Sequence, residues 1–221
     1  MKQYKFNINY DGRFSYSWGY SLYSSFLEQM NEKAAEEIHE DTFFNQYLTP
    51  THWVINSNTD IDFSSKYDLE KYKTTIHLSN KEILEVSEQA LSDKYLVNEA
   101  LQKNVRLFFQ TPTTFKQNNA YVLFPSEHLI MQSLTNKWNS WAKVFFLEDM
   151  VWDCCSISKY NLRTINYNLK NTKIKGFVGY VDLFFWGTES INRLGNLICS
   201  FSEYSGIGIK SALGMGGCKF E

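Results

Sequence analysis

Residues 157–168 read ISKYNLRTINYN, residues 169–172 read LKNT, and residues 173–185 read KIKGFVGYVDLFF. This pattern predicts two strands, Ile157 to Asn168 and Lys173 to Phe185, around a basic turn at Lys170-Asn171-Thr172. Working outward, Ser126 to Leu147 reads as a long helix, with Leu129, Ile130, Leu134, Trp138, Trp141 and Phe145 on one side. Val105 to Phe109 reads as a strand that runs into Thr111-Pro112. After the hairpin come a helix over Ile191 to Ser202 and a short strand around Gly216 to Phe220. The order β-α-β-β-α-β defines a ferredoxin-like unit, a four-stranded antiparallel sheet covered by two helices.

The first half reads in the same order. Tyr4, Phe6, Ile8 and Tyr10 alternate with polar residues, which predicts a half-buried strand. From Tyr20 the period lengthens: Leu22, Tyr23, Phe26, Leu27, Met30, Ala34 and Ile38 recur at three- and four-residue spacing, as in an amphipathic helix. Asn31, a good N-cap, is the place where that helix would break, with Glu32 opening the next. Strands are expected at Trp53 to Asn56 and Tyr72 to Leu78, a helix over Lys81 to Leu91, and a weak strand near Tyr95 to Leu101. The expected fold class is α+β, with two tandem ferredoxin-like domains spanning 1–102 and 103–221.

Composition narrows the function. The chain has 221 residues, 43% hydrophobic and 17% aromatic, so disorder is excluded and a real core can form. No apolar run approaches the ~18 residues of a membrane span, and the first residues lack a signal peptide's apolar segment. A soluble, cytoplasmic protein with no membrane partner is expected. Cys154, Cys155, Cys199 and Cys218 form no C-x-x-C, so reduced and partly buried thiols are expected, with no zinc ribbon. The net charge of −2 hides an asymmetry. Residues 1–100 carry nine basic against sixteen acidic residues, and residues 101–221 carry thirteen against eight. Lys159, Arg163, Lys170, Lys173 and Lys175 follow one another with no acid between them, which suggests a face turned to an anion.

Residues 204–217 read YSGIGIKSALGMGG, with five glycines in the last twelve. Lys210-Ser211 invites comparison with a phosphate-binding P-loop, but Ile209 separates Gly208 from Lys210 and no long helix can follow. A dinucleotide loop fails as well, because Ser211 stands where a third glycine is needed. What survives is a loop of exposed N–H groups around Gly206, Gly208, Gly214 and Gly216. Lys210 and Ser211 would complete it, a set suited to phosphate oxygens.

This loop resembles the C-terminal glycine-rich loop of the CRISPR repeat-cleaving endoribonucleases, a family of the RAMP superfamily with RRM-like folds. Gly176-Phe177-Val178-Gly179-Tyr180 resembles that family's strand before the last helix. Thr111 to Lys116 and Tyr121 to Ser126 resemble its middle segment, and Glu36-Glu37-Ile38-His39-Glu40 its catalytic-histidine segment. The resemblance implies cleavage of the repeat in precursor CRISPR RNA without metal or cofactor. The RNA's 2′-OH would attack the adjacent phosphorus, leaving a 2′,3′-cyclic phosphate and a 5′-OH. It implies precursor and mature CRISPR RNA as partners and admits other CRISPR effector subunits; monomer and homodimer both stay open. A non-catalytic RAMP-type RNA-binding subunit is the alternative.

Such a reaction needs a base, an acid and cationic or N–H stabilisation. His39 is the leading candidate. It would end a helix, and the helix terminus together with Glu40 and Asp41 favours the imidazolium. His52, His77 and His128 read as structural. Counting back along the matching helix places Ser24, with Tyr23 beside it, as the second catalytic group. On one straight helix residues 24 and 39 would lie roughly 22 Å apart, so they share a site only if the helix breaks. Asn45 and Gln46 stand where some relatives carry a lysine. Lys159, Arg163, Lys170, Lys173 and Lys175 would contact phosphates, with Lys210 and the glycine loop adding more.

Overall fold

A computed structural model of the chain describes residues 1–40, 43–147, 151–170 and 172–221; the side chains of His39 and Glu40 lie outside that description. Strand β1 (Lys2–Asn9) turns Tyr4 and Phe6 into the first core, as its alternation requires. Helix α1 (Trp18–Glu28) buries Trp18, Leu22, Tyr23 and Phe26 along one stripe. The chain then breaks, and α2 (Glu32–Glu40) starts with the Asn31 side-chain oxygen accepting from the Ala34 N–H at 2.9 Å. The expected break is therefore present, and Asn31 is its cap.

Four more strands complete the first sheet: β2 (Asn45–Leu48), β3 (His52–Ser57), β4 (Lys66–Leu69) and β5 (Thr74–Glu85). Its order is β2-β3-β1-β5-β4. Both neighbours of β1 run antiparallel to it. β1 is thus central, with the β2–β3 pair on one side and the β5–β4 pair on the other. Two expectations are corrected accordingly. Residues 81–85 extend β5, with Ile83 opposite Tyr4 and Lys5 ion-paired to Glu82 at 3.6 Å. Ile83 and Leu84 stay about half exposed on the strand, and of the apolar residues that suggested a helix over 81–91 Val86 and Leu91 reach the core. Only the short α3 (Glu88–Ser92) is helical there, followed by a wide helical turn over Asp93–Asn98 in place of a strand.

The second unit has the full expected order. It comprises β6 (Asn104–Thr113), α4 (Glu127–Trp141), β9 (Cys155–Asn168), β10 (Lys173–Phe185), α5 (Glu189–Ser205) and β11 (Cys218–Phe220). A small hairpin, β7 (Phe115–Gln117) with β8 (Ala120–Val122), sits between β6 and α4. The sheet order β11-β6-β10-β9 is the ferredoxin-like one. Ser126 caps α4 and Thr188 caps α5 through their hydroxyls. α4 stops at Trp141, short of the expected Leu147. The Glu88 carboxylate gathers the N–H groups of Lys143, Val144 and Phe145, and the Trp138 ring N–H takes the Phe145 carbonyl. These bonds reward an extended chain where periodicity alone would continue the helix.

Two large cores result. The first centres on Trp53, Phe26 and Tyr67, the second on Trp138, Phe201 and Phe185. Each such side chain contributes roughly 1.5–3 kcal/mol by leaving water. A third, small cluster joins the units: Tyr167 and Ile174 at the tip of the β9–β10 hairpin pack with Met215 and, on the first unit, with Tyr16 and Tyr20. All four cysteines are free thiols. Among the described residues no helix is long and apolar enough to cross a membrane.

Candidate nucleic-acid interface and active site

The segment from Gly206 to Gly217 threads between the two units. Gly206, Gly208, Gly214 and Gly216 take φ of 63°, 79°, 97° and 76°, and Lys210 joins them at 59°. At Gly214 the requirement is double. A Cβ there would meet the Tyr167 hydroxyl at 2.5 Å in a backbone region that side chains avoid. Gly19 of α1 lies against the same spot, so helix and loop meet without side chains between them.

The loop's N–H groups are not the open cradle the sequence suggests. Ile207 donates to Gly216 O at 2.8 Å, Ile209 to Thr114 O at 3.1 Å and Gly216 to Pro112 O at 3.1 Å. Gly208 donates to the Ser133 hydroxyl at 2.9 Å and Gly217 to the Thr111 hydroxyl at 2.8 Å. Gly206 and Gly214 donate to Ser202 O and Ser211 O. The reason is burial. The loop lies inside the seam, where each N–H must find an acceptor. Between Gly206 and Gly217 the N–H groups of Lys210, Ser211 and Ala212 are the ones without a protein acceptor among the described residues, and these three residues are partly exposed.

The basic residues divide between two faces. Cross-strand pairing joins Lys173 to Asn168 and Lys175 to Asn166, which places both lysines on one face of the hairpin. Arg163 pairs with Val178 and Lys159 with Asp182, on the opposite face. Lys170 sits in the turn. All five are exposed, and among the described residues none has an ion-pair partner. By contrast Arg106 is engaged. It forks onto Asp182 at 2.6 and 2.8 Å, holding that carboxyl below its usual range, and lies 4.0 Å from the Tyr180 ring centre.

A cleft of about 570 Å³ opens between the two sheets. Lys5 and His52 of the first sheet and Phe108, Gln110 and Lys219 of the second line it. Burial, with Lys5 nearby, keeps the His52 imidazole below its ordinary range, and Thr51 Oγ1 lies 2.8 Å from its Nδ1. Glu203 lines it too, and Lys5 and Lys219 are ion-paired to Glu82 and Glu221, so the cleft carries both signs of charge. It was missed in the sequence because strands some two hundred residues apart build it. Its signal was the polar member of each alternating pair, such as Lys5 between Tyr4 and Phe6.

Of the catalytic candidates, Tyr23 is buried. Its ring centre lies 5.5 Å from that of Phe44, and burial pushes its phenol up. Ser24 is partly exposed on α1, donating to the Tyr20 carbonyl at 3.3 Å. His39 falls in α2, and its side chain lies outside the described residues. α1, Ile38 of α2, and Ala212 and Leu213 of the loop all pack on the first core. His77 and His128 are exposed.

Asn45 and Gln46 tie the units together. Gln46 Nε2 donates to Gly19 O at 3.2 Å and Ala212 O at 3.3 Å, while its carbonyl accepts the Trp53 ring N–H at 2.9 Å. Asn45 Nδ2 donates to Tyr204 O at 2.6 Å. From the other side, Tyr167 Oη donates to Leu213 O at 2.6 Å and the Asn168 N–H to Ser17 Oγ at 2.8 Å. Both amides are buried: Gln46 holds the loop against α1, and Asn45 ties β2 to the end of α5. Among the described residues no three His, Cys, Asp or Glu side chains gather as a metal site needs.

The fold, two ferredoxin-like units in tandem with a glycine-rich segment locked in the seam, is shared with a structure described as an RAMP protein binding different RNA substrates, with a TM-score of 0.62 at 14% identity over 100% of both chains. Residues 107–218 match the model of the CRISPR-associated endoribonuclease Cas6. A CRISPR-associated endoribonuclease Cas6 of Streptococcus thermophilus is 30% identical over 215 residues, covering 88% of each chain. A Cas6 product complex superposes over 100% of both chains with a TM-score of 0.79 at 16% identity. Thermus thermophilus Cas6 superposes with a TM-score of 0.73 at 18% identity, over 100% of this chain and 98% of its own. The chain belongs to the Cas6 endoribonuclease family.

Proposed function

We propose that the protein cleaves CRISPR repeat RNA in precursor transcripts without a metal ion and holds the guide RNA it produces. The 2′-oxygen on the 5′ side of the cut attacks phosphorus, and the bond from phosphorus to the 5′-oxygen breaks. The proton of the 2′-OH passes to a base and the 5′-oxygen receives one from an acid. A 2′,3′-cyclic phosphate and a 5′-OH result. His39 is the proton-transfer group, and Ser24 on the neighbouring helix is the second group at the scissile phosphate. Tyr23 serves the core. The exposed cations of the β9–β10 hairpin carry the phosphate contacts, with the Lys210–Ala212 segment supplying unspent N–H donors beside α1.

The observation that carries this reading is the seating of α1 on the glycine loop, Gly19 against Gly214, in a chain of the Cas6 family. It brings the helix of Ser24 beside the free N–H groups. Support also comes from the structural relative solved as a product complex. The test is cleavage of end-labelled repeat RNA in EDTA, with and without a 2′-deoxy substitution at the scissile nucleotide. Cleavage of the all-RNA substrate alone, ending in a cyclic phosphate, is expected. Cleavage of the 2′-deoxy substrate, or strict dependence on magnesium, would overturn the mechanism.

A further inference from the structure

Lys137, on the second half of α4, is used by nothing in the mechanism above. Its stem lines a groove beside Gly208 and Ile209, while its ammonium turns away from solvent. Nζ donates to Ser205 O at 2.8 Å and to Ser211 Oγ at 3.2 Å. Among the described residues it has no carboxylate partner. The titratable group facing it from β11 is Cys218, whose thiol burial pushes up to about 12 and keeps neutral. Lys116 of β7 lines the same groove, and Lys210 neighbours Ser211 in the chain. Burial pushes the Lys137 ammonium itself down to about 7.

Fold stability does not explain a lysine here. Stripping an ammonium from water costs several kcal/mol, and an apolar side chain of similar length fills such a space at lower cost. The helix dipole of α5 favours a cation at Ser205, its last residue, but a cation is not needed to end a helix. What the ammonium does that a methyl group cannot is join two points of the loop. Ser205 is where the loop leaves α5, and Ser211 stands at its partly exposed turn. Neighbouring positions are held by other bonds: Gly208 to Ser133, Ala212 to Gln46 and Leu213 to Tyr167. Lys137 supplies the side-chain bond at Ser211.

We propose that Lys137 is a positioning residue. Through Ser211 Oγ it fixes the turn at Lys210–Ala212 in the orientation that receives an RNA phosphate, and it places a buried positive charge behind that phosphate. The proposal rests on the RNA-binding reading above. It predicts that Lys137 and Ser211 act as a unit and that the charge is felt in binding without being required for folding.

The experiment measures repeat-RNA affinity and thermal unfolding for wild type, Lys137→Met, Ser211→Ala and the double variant. Lys137→Met is expected to unfold no earlier than wild type and to bind RNA about tenfold more weakly. Ser211→Ala is expected to weaken binding in the same direction, and the double variant to lose no more than Lys137→Met alone. An anion favours the protonated lysine, so wild-type affinity should fall as pH rises from 7 to 8.5, more steeply than in Lys137→Met. Equal affinities, additive losses, identical pH profiles, or a loss of affinity matched by a loss of stability would each overturn the proposal. If Lys137→Met does not fold, Ser211→Ala decides, and wild-type affinity in that variant overturns it. A wild type that does not bind the repeat RNA overturns the RNA-binding reading along with it.

Discussion

The glycine loop and the β9–β10 hairpin both look like phosphate binders in the sequence, yet they are built in opposite ways. The loop spends its N–H groups inside the protein, on Gly216 O, Thr114 O, Pro112 O and the hydroxyls of Ser133 and Thr111. The hairpin packs through Val181, Leu183 and Phe185 on the second core and through Tyr167 and Ile174 at its tip, and leaves its cations in solvent. Glycines therefore serve here mainly to pass a backbone through a tight seam, and on the proposed reading the charge for RNA comes from side chains on the ribbon. Shape and charge are supplied by different parts of one unit.

Three variants test this division. Replacing Lys170, Lys173 and Lys175 by alanine should weaken repeat-RNA binding the most, on the order of 10²-fold near physiological salt. A titration over several salt concentrations should show a shallower slope by about two to three, and an unchanged slope would move the RNA off the hairpin. Gly214→Ala should act on the fold. Its φ of 97° and the Tyr167 hydroxyl leave no place for a methyl group, so a loss of about 2 kcal/mol is expected in denaturant unfolding. Unaltered stability would mean that the seam is looser than it looks.

The smallest expected effect lies on β10 itself, at the end away from the basic tip of the hairpin. Arg106 holds the Asp182 carboxyl below its usual range. The stability this pair adds is present above the unfolded carboxyl's pKa and is lost as pH falls through the lowered folded value. Asp182→Asn should therefore flatten the acid limb of the stability profile slightly and leave RNA affinity near that of wild type. A large loss of affinity would show that the open sheet face joins the interface.

The second unit was legible because its main elements, β9, β10, α4 and α5, are long and locally consistent. The strand limits of Lys173 to Phe185 match, and α4 and α5 carry their caps, Ser126 and Thr188, in the sequence. The first unit was less so, for physical reasons. β2 and β4 are four residues each, too short for alternation to show. Residues 81–85 carry exposed apolar side chains on a strand, which imitate a helix period. The break at Asn31 was readable because a capping side chain marks it. At the site, the basic hairpin and the glycine segment stood out by composition. The roles of Gln46, Asn45 and Lys137 did not, since a buried polar residue reveals itself only through partners distant in sequence.

The most direct test of the central claim is the single-turnover cleavage rate of His39→Ala on repeat RNA in EDTA, with the affinity measured on the same preparation. Loss of a proton-transfer group predicts a rate lower by ~10²–10⁴-fold with affinity within about threefold of wild type. A rate equal to that of wild type would remove His39 from the site, and a loss of affinity as large as the loss of rate would make it a binding residue instead.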